Sequence, residues 1–342
     1  MGREAERAPL SDRLRATLFA VVEEHIETAQ PVASRSTARR SAIALSAATV
    51  RSHMAELAEL GFLSQPHISA GRIPTDIAYR LYVDELLHGQ PGRALARGPI
   101  ALEEEDGSVT EFMQRATDLL SHVTGQVGFC LGRPAEEMVL ERMHFTRLSS
   151  ERVLALLVSR GRVAQTRLID EADCDARTLE RISARISETV AGLTLAEART
   201  RLASTIEFER ALSDELQKKL FVLGWEGLAR TSEVELYVGD RNGLLVQPEF
   251  NDVEQLRHLM GALEEKERMM WLLDQVLRAE TSVGIGEELH DPGVRACALV
   301  AAPLGAMPGA GGVGVIGPMR MRYDVVIPAV RYVSERVSQF LC

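Results

Sequence analysis

The sequence is short of the residues that hold small secreted folds or metal-built folds together. Its four cysteines, Cys130, Cys174, Cys297 and Cys342, lie far apart, with no CxxC and no Cys/His grouping. That excludes a disulfide framework or a zinc site of the usual spacing and fits reduced thiols in a cytoplasmic protein. No run approaches the roughly 20 apolar residues of a membrane span. The start of the chain, with Arg3, Glu4, Glu6 and Arg7, lacks the apolar core of a signal peptide. Aromatic residues make up only 5%, so the cores must rest on Leu, Val, Ile, Ala and Met. No nucleophile–base pair or HxxxH spacing occurs: His25, His122, His144, His258 and His290 are scattered. The expectation is a protein that is not an enzyme, holds no metal and touches no membrane.

Cofactor chemistry fails a similar test. Gly309, Gly311 and Gly314 fit GxGxxG, and Gly312, Gly314 and Gly317 fit it again. A dinucleotide site needs that motif between a strand and a helix. Here Val313, Val315 and Ile316 read as a strand and Pro318 follows at once, so no helix can begin there and no cofactor is expected.

What is present is length and an uneven charge. At 342 residues the chain should divide into two or three domains, and 46% apolar with 26% charged residues is a globular composition. The net charge of −10 argues at first against nucleic acid. From Pro31 to Arg80, however, six arginines (Arg35, Arg39, Arg40, Arg51, Arg72, Arg80) face three acids, Glu56, Glu59 and Asp76. Ten basic against nine acidic residues leave the first eighty at +1, which puts −11 on the remainder. A locally basic module sits on an acidic body.

The module reads as three helices and a hairpin. Leu10, Leu14, Leu18, Val21, Val22 and Ile26 recur at helical spacing, with Ser11 or Asp12 to cap the helix and Pro31 to end it. A short second helix begins near Ser34, whose side chain can cap it, and carries Arg35, Arg39 and Arg40. Ser46 caps a third, with Ala47, Val50, Met54, Leu57 and Leu60 as its buried stripe and Gly61 at its end. Its opposite face holds Ala48, Arg51, Ser52 and Ala55, small enough to enter a major groove about 12 Å wide. Arginine reads guanine there through two parallel hydrogen bonds, while Ser46 and Thr49, at the positive end of the helix, suit phosphate. Phe62–Gln65 and Arg72–Pro74 then pair as a hairpin, with Arg72 expected at its tip. His53 and His67 are expected to meet phosphate or solvent. Helix, basic helix, small-faced helix and hairpin in that order make a winged helix-turn-helix.

The wording is more specific than the pattern. Pro31-Val32-Ala33-Ser34-Arg35, Leu45-Ser46-Ala47-Ala48-Thr49-Val50-Arg51, Leu57-Ala58-Glu59-Leu60-Gly61-Phe62-Leu63, the wing Gln65 to Asp76 (QPHISAGRIPTD) and Tyr79-Arg80-Leu81-Tyr82-Val83-Asp84 closely resemble the HrcA family, the heat-inducible repressors of bacterial chaperone operons. The likeness continues in Gln247-Pro248-Glu249-Phe250, Leu263-Glu264-Glu265-Lys266 and Gly314 to Tyr323 (GVIGPMRMRY). It departs at Ala47, where these repressors often have Pro, at Ser52-His53, where an Asn-containing pair is usual, and at Glu287-Glu288, which more often reads Glu-Asn.

Beyond a Gly/Pro-rich and acidic stretch, strand-like runs at 126–131, 139–148, 152–159 and 163–169 precede a mostly helical region. Thr194 and Glu197 make a capping-box spacing there. One long amphipathic helix runs from Leu256 to Leu277, and strands then a helix close the chain. The resemblance implies a GAF-like α/β domain interrupted by an inserted, mainly helical dimerisation domain. The expected α+β, multidomain layout is a winged helix-turn-helix over 1–87, a linker over 88–107, GAF-like parts over 108–192 and 279–342, and the insert over 193–278. It also implies the partners: a homodimer on double-stranded, inverted-repeat operator DNA, with activity set by the GroEL chaperonin. A metabolite-sensing regulator of GAF type is the alternative. The residues expected at DNA are Ser34, Arg35, Arg39, Arg40, Ser46, Ala48, Thr49, Arg51, Ser52 and Arg72.

Overall fold

The computed structural model describes residues 10–40, 45–67, 70–88, 102, 109–132, 139–149, 151–159, 162–170, 175–209, 223–224, 227–228, 234–279, 282–304 and 311–341. Helix α1 (Asp12–Thr28) starts where Ser11 Oγ accepts from the Leu14 N–H at 3.4 Å and ends at Ala29, left-handed at φ 55°. Then come α2 (Ser34–Arg40) and α3 (Ala47–Glu59). Gly61, at φ 83°, turns the chain out of α3 into the hairpin β1 (Leu63–Ser64) and β2 (Ile73–Pro74). Thr75 locks that hairpin: its hydroxyl lies 2.8 Å from the Gly61 carbonyl and 3.0 Å from that of Phe62, and its own carbonyl opens α4 (Asp76–His88). Within α3, Val50, Met54 and Leu57 are buried as expected. Leu60 is not, at 44% exposed, because the helix has already ended and the chain is turning.

Downstream lie α5 (Val109–Thr124), β3 (Val127–Gly132), β4 (Arg142–Arg147), β5 (Arg152–Ser159), β6 (Arg162–Asp170), α6 (Ala176–Val190) and α7 (Leu195–Glu209). They are followed by β7 (Glu235–Val238), α8 (Asn242–Leu245), α9 (Val253–Glu264), α10 (Lys266–Arg278), β8 (Val283–Ile285), β9 (Cys297–Pro303), β10 (Gly311–Pro318) and α11 (Tyr323–Leu341). The chain is thus α+β. Five antiparallel strands in the order β7-β3-β10-β9-β8 make the main sheet. Helices α5 and α11 cover one face through Phe112, Leu120, Val330 and Phe340, and α9 and α10 cover the other through Leu259, Leu272 and Val276. Gly128 lets α5 lie against β3, since a Cβ there would stand 2.4 Å from the Thr117 carbonyl oxygen. Of the glycines of β10, Gly312 and Gly314 pair with both neighbouring strands, Gly311 with β3 and Gly317 with β9, and the next helix begins only at Tyr323.

Two expectations need correction. The long helix is broken: Glu265, extended at φ −90° and ψ 100°, separates α9 from α10. The inserted unit also begins and ends earlier than 193–278. Strands β3 and β7 are hydrogen-bonded neighbours, so the chain leaves the main sheet after one and returns on the other. Between them β4, β5 and β6 form a separate three-stranded sheet packed on α6 and α7, sharing a core from Leu140 to Leu228. The second half of the expected insert, from β7 through α10, packs instead on the main sheet. The expected linker lies outside the described residues except for His88 and Leu102.

Serines fasten α6 to the edge strand of the small sheet. Ser183 Oγ accepts the Phe145 N–H at 2.9 Å and Ser187 Oγ accepts that of Met143 at 3.0 Å. Replacing Ser183 with Ala strands a buried backbone N–H, and denaturant unfolding should show a loss of about 1–3 kcal/mol. A loss indistinguishable from zero would mean that strand and helix are held by packing alone.

Candidate nucleic-acid interface

Helix α3 builds the candidate surface. Ser46 Oγ accepts the Thr49 N–H at 3.1 Å, and the two hydroxyls lie 2.9 Å apart. This leaves the positive end of the helix outward, with both side chains exposed. Val50, Met54 and Leu57 anchor the inner face, so Ala48, Arg51, Ser52 and Ala55 are all exposed on the other. Helix α2 packs on both α3 and α1, and its Arg35, Arg39 and Arg40 are exposed. The connection at 41–44 lies outside the described residues.

Several residues sit differently from expectation. Ser34 is the first residue of α2 rather than its cap: the Ala33 carbonyl receives the Ser36 and Thr37 N–H groups, and both hydroxyls donate to it as well. Arg40 pairs with Glu27 of α1. That pair is exposed on both sides, and surface pairs contribute only about 0–1 kcal/mol, so exchanging the carboxylate for a phosphate would cost little.

Arg72 is not at the tip of the hairpin. Its N–H and carbonyl exchange 2.9 Å hydrogen bonds with those of Val32, just ahead of α2. Gly71 permits this approach, since a Cβ there would fall 2.3 Å from the Val32 carbonyl oxygen. Gly71 therefore brings Arg72 beside the start of α2, while the Ala70 N–H donates to the His67 carbonyl at 2.9 Å.

His53 is half-buried and also reaches the neighbouring helix. Thr17, wholly buried in α1, donates its hydroxyl proton to the Arg13 carbonyl at 2.9 Å, so at the 2.9 Å contact with His53 Nδ1 it must accept. The proton therefore rests on Nδ1, and His53 straps α3 to α1. Arg80, counted with the basic module, is bound to Glu288 of the body and to Asp84 of its own helix instead. Among the described residues none of Arg35, Arg39, Arg51 and Arg72 has an ion-pair partner. Cys130 and Cys297 are buried, which pushes both thiols up to about 12 and keeps them protonated at neutral pH. Among the described residues no helix is long and apolar enough to cross a membrane, and no three His, Cys, Asp or Glu residues gather as a metal site would need.

The whole arrangement has a counterpart of known structure. A crystal structure of a hypothetical protein superposes with a TM-score of 0.68, covering 97% of this chain and 99% of its own at 22% identity, so the two share a fold. The family model described as "HrcA protein C terminal domain" matches residues 110–327. A relative from Geobacter sulfurreducens named "Heat-inducible transcription repressor HrcA" is 34% identical over 97% of this chain and 98% of its own. One of the same name from Sorangium cellulosum is 39% identical over 96% and 97%. The chain belongs to the HrcA family.

The His53 assignment can be checked directly. His53→Ala should lower stability by about 1 kcal/mol in thermal or denaturant unfolding while leaving the salt dependence of any DNA binding unchanged. A slope reduced by about one, at unchanged stability, would make His53 a phosphate contact instead.

Proposed function

We propose that this chain is a heat-inducible repressor that binds, as a homodimer, an inverted-repeat operator ahead of chaperone operons. In this reading α1 to α3 and the β1–β2 hairpin are a winged helix-turn-helix, and the five-stranded unit with its helices is the GAF-like domain. The observation that carries it is the exposed face of α3, small except for Arg51, on a locally basic part of an acidic chain. Family membership supports the repressor role.

Arg51 and Ser52 read base edges from the major groove, with Ala48 and Ala55 allowing close approach. Ser46, Thr49, Ser34, Arg35, Arg39, Arg40 and Arg72 hold the phosphates on either side. A module this small neutralises few phosphates, and the body, at −11, repels DNA. Pairing two modules in one dimer therefore supplies the missing affinity through effective concentration, and the operator's symmetry mirrors the dimer's. Control by the GroEL chaperonin rests on family membership alone: free chaperonin keeps the repressor active, and unfolded protein draws it away under stress.

Arg51→Ala should weaken operator binding by about 1–3 kcal/mol and relax preference at one base position. Arg39→Ala should weaken every sequence alike and reduce the slope of log affinity against log salt by about one. Equal affinity of Arg51→Ala and the parent would remove α3 from the groove. A gel shift against the upstream region of a chaperone operon should show a complex that grows when chaperonin is added. A complex indifferent to chaperonin would refute that part of the proposal, and no complex at all would refute the whole.

A further inference from the structure

Several stretches of sequence singled out above have no part in reading DNA: Tyr79 to Asp84, Gln247 to Phe250, Glu287-Glu288 and Met319 to Tyr323. They meet at one place, the seam between the N-terminal module and the body. On one side Arg80 of α4 donates from Nε to Glu288 Oε1 at 2.8 Å and from Nη2 to the Val283 carbonyl at 2.6 Å. The same Nη2 also binds the second oxygen of Glu288. Asp84, one turn on, lies 3.4 Å from Nη1.

On the other side Arg320, between β10 and α11, binds the carboxylate of Glu249, with Nη2 3.1 Å from Oε2, and donates to Gln247 Oε1 at 2.6 Å. Its Nη1 reaches the Ile26 carbonyl at 3.4 Å. Ile26 belongs to the last turn of α1, where carbonyls lack helical partners and a cation is favoured.

Between the two arginines the seam is apolar and close-fitting. Tyr79 of α4 and Tyr323 of α11 are buried in one cluster with Met321. Gly286, left-handed at φ 57°, lies so close that a Cβ there would stand 3.1 Å from both Asp76 Cβ and Met319 Sδ. Arg320 is only 13% exposed. Removing a guanidinium from water is costly unless its fork is fully paired, so these contacts favour one docking geometry and penalise its neighbours. In that geometry Ala48, Arg51, Ser52 and Ala55 remain exposed; the body covers none of the face that would read bases.

We infer that Arg80 and Arg320 form a two-point clamp that fixes the module's pose on the body, and so act as positioning residues that set the distance and angle between the two DNA-reading helices of the dimer. This rests on the function proposed above. A module on a free tether would accept a range of half-site spacings. A clamped one accepts the spacing that its pose dictates, because each base pair added turns the next half-site by about 35° around the duplex.

The test is selection of duplexes from random-sequence DNA by the full-length chain, with wild type, Arg80→Met, Arg320→Met and Glu288→Gln in parallel. Wild type should enrich an inverted repeat of one spacing. The variants should enrich the same half-site sequence scattered over several spacings, and should bind the wild type's best duplex about tenfold more weakly, as avidity falls when geometry no longer matches. Binding to a single half-site should not change. Variants that keep one spacing and full affinity would overturn the clamp, and so would a folded variant that loses the half-site sequence itself, since Arg80 or Arg320 would then be reading DNA. Should Arg80→Met or Arg320→Met fail to melt cooperatively, Glu288→Gln, which preserves size and shape, decides the matter by the same readout. A wild type that enriches no inverted repeat would overturn the proposed function rather than the clamp.

Discussion

Leu18, Val21 and Val22 of α1 are shut off from solvent, and the apolar cluster they belong to runs without a break through Tyr79 of α4 into Tyr323, Val330 and Phe340 of α11. The N-terminal helices therefore do not hang from the body on a strand of chain. They share its core, and their orientation is set by the same burial that folds the main sheet. Burial on that scale is the dominant favourable term in folding. It leaves the outer face of α3 and the arginines of α2 exposed.

Charge follows the same division. Arginines that face the body or α1 are matched to carboxylates: Arg80 to Glu288, Arg320 to Glu249, Arg40 to Glu27. Those on the outer side, Arg35, Arg39 and Arg51, are exposed. An acidic body carrying a basic outer face is the arrangement expected when one surface must approach a polyanion and the rest must stay away from it.

Local signals in the sequence led to local structure. Ser46 before Ala47, Gly61 after Leu60, and the alternation of Val50, Met54 and Leu57 with Ala48, Arg51 and Ala55 determine α3 and its two faces without reference to anything distant. The Thr194–Glu197 capping box is of the same kind, with bonds of 2.8 and 3.2 Å between the pair. What periodicity could not supply was the identity of long-range partners. The tie of Arg72 to Val32 depends on Gly71 having no side chain, and the pairing of Arg80 with Glu288 spans 208 residues. The insert was misplaced for a related reason: α7 and α9 both read locally as helices, and it is the pairing of β3 with β7 that shows where the chain rejoins the main sheet.

Methylation interference shows whether α3 enters the major groove. Methyl groups placed on guanine N7 project into the major groove, and those on adenine N3 into the minor. With α3 in the groove, N7 methylation within each half of the inverted repeat should block binding of the full-length chain. Binding that tolerates N7 methylation throughout the operator, and fails only when adenine N3 is methylated, would contradict that placement.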